Sequence, residues 1–358
     1  MPTFFKNTAL TLCLALSLGV VTACQPHETA ATHSPDTAFT KISGQTMGTS
    51  YHITVLLPST VSPETVQAAI DARLNAINKS MSTYDDTAII MAFNRADAHE
   101  KITIDPDFIQ VFQDSQNIYT ASNGAFDPTV MPLVSLWGFG ASMSVERLQN
   151  PPTEAEIAAI RDTIGLEKIT LTDNTLQKTA AGVQLDFSAI AKGYAVDVIA
   201  NVLKEDFLAT AYMVEIGGEI ATLGKNPQGK AWQIAIDTPE EGSTAQNRKI
   251  LTTLALADDH MATSGNYRNT LEYNGIRYSH TINPHTAHPV ADGVPSVTVL
   301  HDSTALADGW ATALTALPAT DAIALAEHAN IKALFVLKAE DGSWQLKKST
   351  ALENRPTP

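Results

Sequence analysis

Cysteine is nearly absent from this chain of 358 residues, which holds two, Cys13 and Cys24. Cys13 lies in a segment read below as a removable leader, so Cys24 stands alone, no disulfide can form, and stability must come from packing. Positive charge is scarce as well, with 23 Lys and Arg against 38 Asp and Glu and a formal charge of −15. A chain without a basic field does not attract a phosphate backbone, which argues against nucleic acid as a partner. The same deficit means that a phosphorylated ligand needs local cations or a metal to offset repulsion. There is no Gly-x-Gly-x-x-Gly turn, so a Rossmann unit fails. There is no Gly-x-Ser-x-Gly elbow either, which leaves acyl transfer by a nucleophilic side chain without support. The apolar run Ala9 to Val21 is too short for a comfortable transmembrane helix.

What remains is ordinary globular material, 44% hydrophobic and 17% charged, enough for one large domain or two lobes. Lys6 and the apolar run form a targeting segment over residues 1–23. Val21-Thr22-Ala23-Cys24 resembles the lipobox of bacterial lipoproteins, which implies cleavage before Cys24 and lipidation of its thiol. That resemblance predicts a lipid-anchored protein on the periplasmic side of a bacterial membrane, with Gln25 favouring the outer membrane over the inner. Residues 24–40, rich in Ala, Thr and Pro, read as a flexible tether, and 41–350 as the folded domain.

Within the domain the signals alternate between the two periodicities. Tyr51, Ile53 and Val55 alternate as a strand after Gly44-Gln45-Thr46-Met47-Gly48-Thr49, where glycines around Met47 predict a tight backbone with an exposed apolar side chain. Ser62-Pro63 and Asp105-Pro106 start helices, Asn123-Gly124 stops the second, and Thr153 to Glu156 fits a capping box. Ile169 and Leu171, then Val183 and Leu185, flank a turn at Asp173-Asn174, predicting a strand pair. Strands occur both in adjacent pairs and around helices, which gives an α+β class with mixed or antiparallel sheets and packed helices.

The stretch Leu185 to Asp197 organises the rest. Leu185 ends a buried strand, Ser188 serves as N-cap, and Val196, Ile199, Ala200 and Leu203 recur at helical spacing. Small residues leave the helix's first N–H groups uncovered and Lys192 adds a positive charge, an anion-binding arrangement. Asp186 is an odd residue for a buried strand end unless it has a partner or a ligand. Asp308 and Thr312, four apart on a later helix, present hard oxygens suited to Mg²⁺ or Ca²⁺. His280, His285 and His288 cluster in sequence, but their spacing matches no zinc motif and Pro284 and Pro289 break any helix aligning them.

Taken in order, Gly44 to Thr49, Met81-Ser82-Thr83-Tyr84, Gly124 to Val130, Leu136 to Gly140, Leu185 to Asp197, Ser279-His280 with Pro284, and Ala307-Asp308 with Ala311-Thr312 resemble the motifs of the ApbE family. These are bacterial FAD:protein FMN transferases. The resemblance spans about Lys41 to about Leu337 and implies an ApbE-like flavin transferase fold. It implies Mg²⁺-dependent transfer of the FMN half of FAD to a Ser or Thr hydroxyl of an acceptor protein, with release of AMP. Acceptors would be proteins of membrane redox complexes. Carried over, Met47, Tyr84, Ala125, Phe126, Asp127, Asp186, Lys192 and Ile282 would line the FAD site, with Tyr84 and Phe126 offering ring faces. Asp308, Thr312 and the carbonyl of Ala189 would hold the metal, and His280 would take the acceptor proton. The chain departs from the family pattern at Asn283 and Asn266, where Asp is usual, and at Ala287, where Gly is usual. An FAD pyrophosphatase yielding free FMN and AMP, and a non-catalytic flavin-binding lipoprotein, are the alternatives.

Overall fold

The computed structural model describes residues 37–139, 149–240, 247–266, 270–273, 276–290 and 293–358. The targeting segment, Cys24 and the tether as far as residue 36 lie outside them, as does Gly140. Strand β1 (Thr37–Thr46) begins four residues before the expected boundary at Lys41. Thr37 to Thr40 lack apolar periodicity, yet they pair in register with Pro58 to Val55 of β2 (Thr49–Pro58). Backbone pairing and the packing of Phe39 against Trp232 decide that stretch. The hairpin closes on Met47 and Gly48, both left-handed with φ of 48° and 72°, the primed turn whose twist matches that of paired strands.

Ser62 accepts from Thr65 N to cap α1 (Pro63–Met81), which buries Val66, Ile70, Leu74 and Ile77 along one face. After a polar loop come α2 (Ile89–Arg95) and β3 (Ile102–Thr103). Asp105 caps α3 (Pro106–Ala121), and left-handed Asn123 and Gly124 end it. A short α4 (Met131–Leu136) precedes α5 (Glu154–Arg161), which opens on the full Thr153–Glu156 capping box. β4 (Ile169–Thr172) pairs with β5 (Thr175–Lys178) around Asp173-Asn174, so the turn is where the pattern put it, but the second strand is not. Val183 to Phe187 runs as irregular chain. There the Asn94 side chain accepts from Leu185 N (2.7 Å) and donates to Leu185 O (2.9 Å), standing in for a strand neighbour.

Next follow α6 (Ala191–Asn201), β6 (Ala211–Ile216), β7 (Glu219–Leu223), β8 (Trp232–Asp237), β9 (Ile250–Leu256) and β10 (His260–Gly265). Two short hairpins, β11 (Thr270–Tyr273) with β12 (Ile276–Ser279) and β13 (Ile282–Asn283) with β14 (His288–Pro289), lead to β15 (Ser296–His301). The chain ends with α7 (Thr304–Thr315), α8 (Ala319–His328), β16 (Lys332–Lys338), β17 (Trp344–Lys348) and α9 (Thr350–Glu353).

Eight strands form one sheet in the order β1-β2-β6-β7-β10-β15-β16-β17. Every pairing among the described strands is antiparallel. The class is α+β as expected, without the parallel pairs that a mixed sheet would contain. The large core joins sheet residues such as Tyr51, Val55, Val214 and Val299 to the apolar faces of α1, α3, α6 and α7. On the other side, Trp232, Ile234, Ile236 and Leu256 of the β8–β9 ribbon pack with Ile220, Met261, Leu300 and Val336. Sandwiched in this way, β15 is buried along nearly its whole length. A third cluster, Leu133, Trp137, Phe139, Ile157, Ile282 and Ala287, underlies the 279–289 segment.

Candidate active site

Helices α6 and α7 meet with unusual closeness. A Cβ at Gly193 would lie 2.3 Å from the Thr304 carbonyl oxygen, so only glycine permits this approach. Asp197, one turn further along α6, fixes the crossing. Its carboxylate accepts from Thr304 N (2.8 Å), Ala305 N (2.9 Å) and Ser303 Oγ (2.8 Å) at the start of α7, and lies 2.9 Å from His260 Nδ1. Through that crossing, Asp308 on α7 reaches the first turn of α6, where its Oδ2 accepts from Gly193 N at 3.2 Å. The amide-rich helix opening expected to face a ligand is therefore partly occupied by the protein's own carboxylate.

Ser188 does not cap this helix. The N-cap position is Ile190, without a side-chain bond. Ser188 Oγ and N both donate to Asp186 Oδ1, at 2.5 and 2.8 Å, which closes a local turn and answers why Asp186 is tolerated there. Asp186 is half-buried rather than enclosed.

Lys192 Nζ stands 3.7 Å from Asp308 Oδ2 and 3.5 Å from Glu219 Oε1, and donates to Ser188 O at 3.3 Å. Glu219, the first residue of β7, was not singled out in the sequence; a charged residue heading the apolar run Ile220-Ala221 after Gly217-Gly218 was the available signal. Both carboxylates are buried, and Glu219 Oε2 has no hydrogen-bond partner among the described residues. Burial pushes Asp308 and Glu219 up from their ordinary values against the pull of Lys192. Burial alone would lower Lys192, but the two carboxylates outweigh it and raise it. Two carboxylates share one ammonium, an excess of anionic oxygen in a low-dielectric setting. Together with the Thr312 hydroxyl one turn from Asp308, this donor set fits a hard divalent cation. Among the described residues no three His, Cys, Asp or Glu side chains gather as a metal cluster, so such an ion would also depend on neutral oxygens.

The surrounding loops are tied to this centre. A Cβ at left-handed Gly217 would lie 3.0 Å from Thr49 Cγ2 and 3.4 Å from both Glu219 Oε2 and Lys192 Cδ, so the Met47 hairpin tip, the β6–β7 turn and Lys192 converge. Met47 is half-buried against the main core rather than freely exposed. Asn78 Nδ2 donates to Thr46 Oγ1 (3.2 Å), fastening the end of α1 to the same tip. Asp186 N donates to Pro128 O at 2.8 Å, bringing the Asp127 loop against the start of the α6 segment. Asp127 is buried, and its Oδ1 accepts from Thr129 N and Oγ1 (2.8 and 2.6 Å). Burial pushes its carboxyl up to about 6 despite those bonds.

Other sequence candidates sit differently. The Phe126 ring is buried, and a Cβ at Gly309 of α7 would touch it at 3.5 Å, so it supplies core packing and no face for a ligand ring. Ala125 and Ile282 are buried as well, the latter in the third apolar cluster. Tyr84, by contrast, is 80% exposed, and Ala189 is half-buried in the turn before α6. His280, also half-buried, follows β12. Its segment nears the Asp127 loop, since a Cβ at Gly124 would lie 3.6 Å from His285 Cε1. Asn283 Oδ1 accepts from His285 N (2.9 Å) and Thr286 N (3.3 Å), a turn-forming role an amide fills without charge. Ala287 has φ of 62°, the region that makes glycine usual there. His288 is engaged by Thr286 O (2.7 Å) and Glu154 Oε1 (3.2 Å).

Comparison with known proteins identifies the family. The ApbE family model matches residues 47–335. A Vibrio cholerae protein named FAD:protein FMN transferase is 38% identical over 302 residues, covering 84% of this chain and 88% of its own length. A Haemophilus influenzae protein of the same name is 36% identical over 351 residues, 96% of each chain. Among solved structures, the flavin transferase ApbE from Vibrio cholerae superposes with a TM-score of 0.78 at 36% identity, covering 89% of this chain and 99% of that one. The apo form of Pseudomonas stutzeri flavinyl transferase ApbE gives 0.78 at 32% identity, covering 88% and 96%.

Proposed function

The chain belongs to the ApbE family of FAD:protein FMN transferases, and from that premise we propose how its residues divide the work. It is a transferase that moves FMN from FAD to an acceptor protein. The acceptor group is a Ser or Thr hydroxyl on a periplasm-facing protein of a membrane redox complex, and AMP leaves. Asp308, Thr312 and the Ala189 carbonyl hold Mg²⁺. The diphosphate lies beside Lys192 and the start of α6. Met47, Tyr84, Asp127 and Asp186 line the remainder of the FAD site, with Ala125, Phe126 and Ile282 contributing through backbone. Cys24 carries the lipid anchor, on the outer membrane in preference to the inner.

The observation that carries this reading is the buried Asp308 carboxylate at the first turn of α6, beside Lys192 and a Glu219 oxygen that has no hydrogen-bond partner among the described residues. An acidic chain can accept a diphosphate there only where carboxylate excess has recruited a cation. When bound, Mg²⁺ supplies positive charge to the phosphoryl oxygens. Lys192 adds a further positive group, held in place by Glu219. In the reaction the acceptor oxygen bonds to the FMN phosphorus as the anhydride P–O bond to AMP breaks. The hydroxyl proton passes to an imidazole nitrogen of His280 and then to solvent. Asp127 and Asp186, on loops joined through Pro128, orient the FAD moiety between these groups.

Incubating the protein with FAD, Mg²⁺ and an acceptor subunit tests this. Flavin fluorescence that stays on the denatured acceptor, with stoichiometric AMP, is expected. Free FMN with AMP would instead indicate hydrolysis, and unchanged FAD a binding protein.

A further inference from the structure

Asn266 directly follows β10, at one of the positions where the family pattern has Asp. Its side chain makes four hydrogen bonds, the full capacity of a primary amide. Oδ1 accepts from Ser279 Oγ and Thr281 Oγ1, each at 2.7 Å, and these residues flank His280. Nδ2 donates to Thr315 O (3.1 Å) and Val294 O (3.2 Å). The neighbours fix the orientation of the amide, because the two carbonyls can only accept and a flipped amide would oppose oxygen to oxygen. Thr315 is the last residue of α7, the helix that carries Asp308 and Thr312, and its hydroxyl lies 3.0 Å from Ser264 Oγ on β10. One side chain thus joins the end of the proposed metal-binding helix to both sides of the proposed base. Thr281 N also donates to Ser279 Oγ (3.1 Å), closing the segment around His280.

We propose that Asn266 is a positioning residue that sets where His280 stands relative to α7, and that the oxygen of its amide does this. The proposal rests on the reading of His280 as the base. An amide held from both ends fixes the backbone on each side of the imidazole, and displacement of a reacting group by about 1 Å can cost on the order of 10²-fold in rate.

The test is transfer of FMN to an acceptor subunit by the full-length protein, with kcat and the KM for FAD measured separately. Asn266→Leu, which removes all four bonds at similar volume, lowers kcat by about 10- to 100-fold and leaves the KM for FAD within about 2-fold. Asn266→Asp keeps both acceptor bonds but sets its second oxygen against the Thr315 and Val294 carbonyls, so it recovers only part of the loss, with kcat at least about 3-fold above that of Asn266→Leu. Should Asn266→Leu fail to fold, Ser279→Ala with Thr281→Val removes the same two acceptor bonds from the other side and shows the same loss of kcat. A normal kcat in the variant lacking these bonds, a loss confined to the KM for FAD, or an Asp variant no better than Leu overturns the proposal. His280→Ala separates the two readings. Full transfer without His280 removes the base and this proposal together, whereas an inactive His280→Ala beside an active Asn266→Leu removes the proposal alone.

Discussion

At the α6–α7 crossing, two helix backbones touch, and Asp308, Glu219 and Lys192 project from elements of the main core. At the rim, the Met47 turn, the Tyr84 loop and the segment around His280 are held by turns, side-chain amides and left-handed residues. The first region binds charge and is built like a core, so its geometry exists before any ligand arrives. The second, which in the proposed reading admits a flavin and a protein chain, is made of segments whose positions depend on a few polar bonds. Catalysis of phosphoryl transfer needs both, a fixed anchor for the diphosphate and an adjustable approach for the nucleophile.

If the crossing is the anchor, Asp308→Ala has the largest effect, lowering acceptor flavinylation on the order of 10³-fold; activity within about 10-fold of the parent would break the comparison. Lys192→Met comes next, because it strands two buried carboxylates. Breaking a buried pair costs about 3–5 kcal/mol, read as a lowered denaturation midpoint. Asp127 tests the other region. Its folded pKa of about 6 lies above the ordinary 3.8, so its penalty is absent in acid and grows as pH rises from the ordinary value through about 6. Asp127→Asn therefore gains stability over the parent by about 2–3 kcal/mol at pH 7, with no gain below pH 4, followed by urea unfolding across pH. The same variant loses FAD affinity if the carboxylate serves the ligand. Smallest of all, Ser303→Ala at the true cap of α7 costs about 1 kcal/mol, whereas Ser188→Ala changes thermal stability by less than about 0.5 kcal/mol.

Local chemistry was mostly readable where a residue acts on its near neighbours. Ser62, Asp105 and Thr153 cap the helices they precede, and the spacing of Asp308 and Thr312 put both on one helix before any fold was known. Apart from that of Ser188, the misreadings involve partners distant in sequence. Val183 and Leu185 have strand-like composition, but Asn94, 91 residues before Leu185, supplies the pairing. Ser188 looks like a cap, but Asp186 takes its hydroxyl first. Phe126 sits in a loop motif, yet its ring is claimed by α3 and α7 packing, a fact that no window around it contains. Glu219 escaped notice because its meaning depends on Lys192 and Asp308, which reach it only after the sheet and both helices assemble.

Gly193 is where the narrowest clearance in this centre is enforced by an atom that is missing. A single methyl added there meets the Thr304 carbonyl at 2.3 Å and must pry the two helices apart, drawing Asp308 away from the amide it now touches. The damage would register first where Asp308 meets the opening of α6 and the Lys192 ammonium.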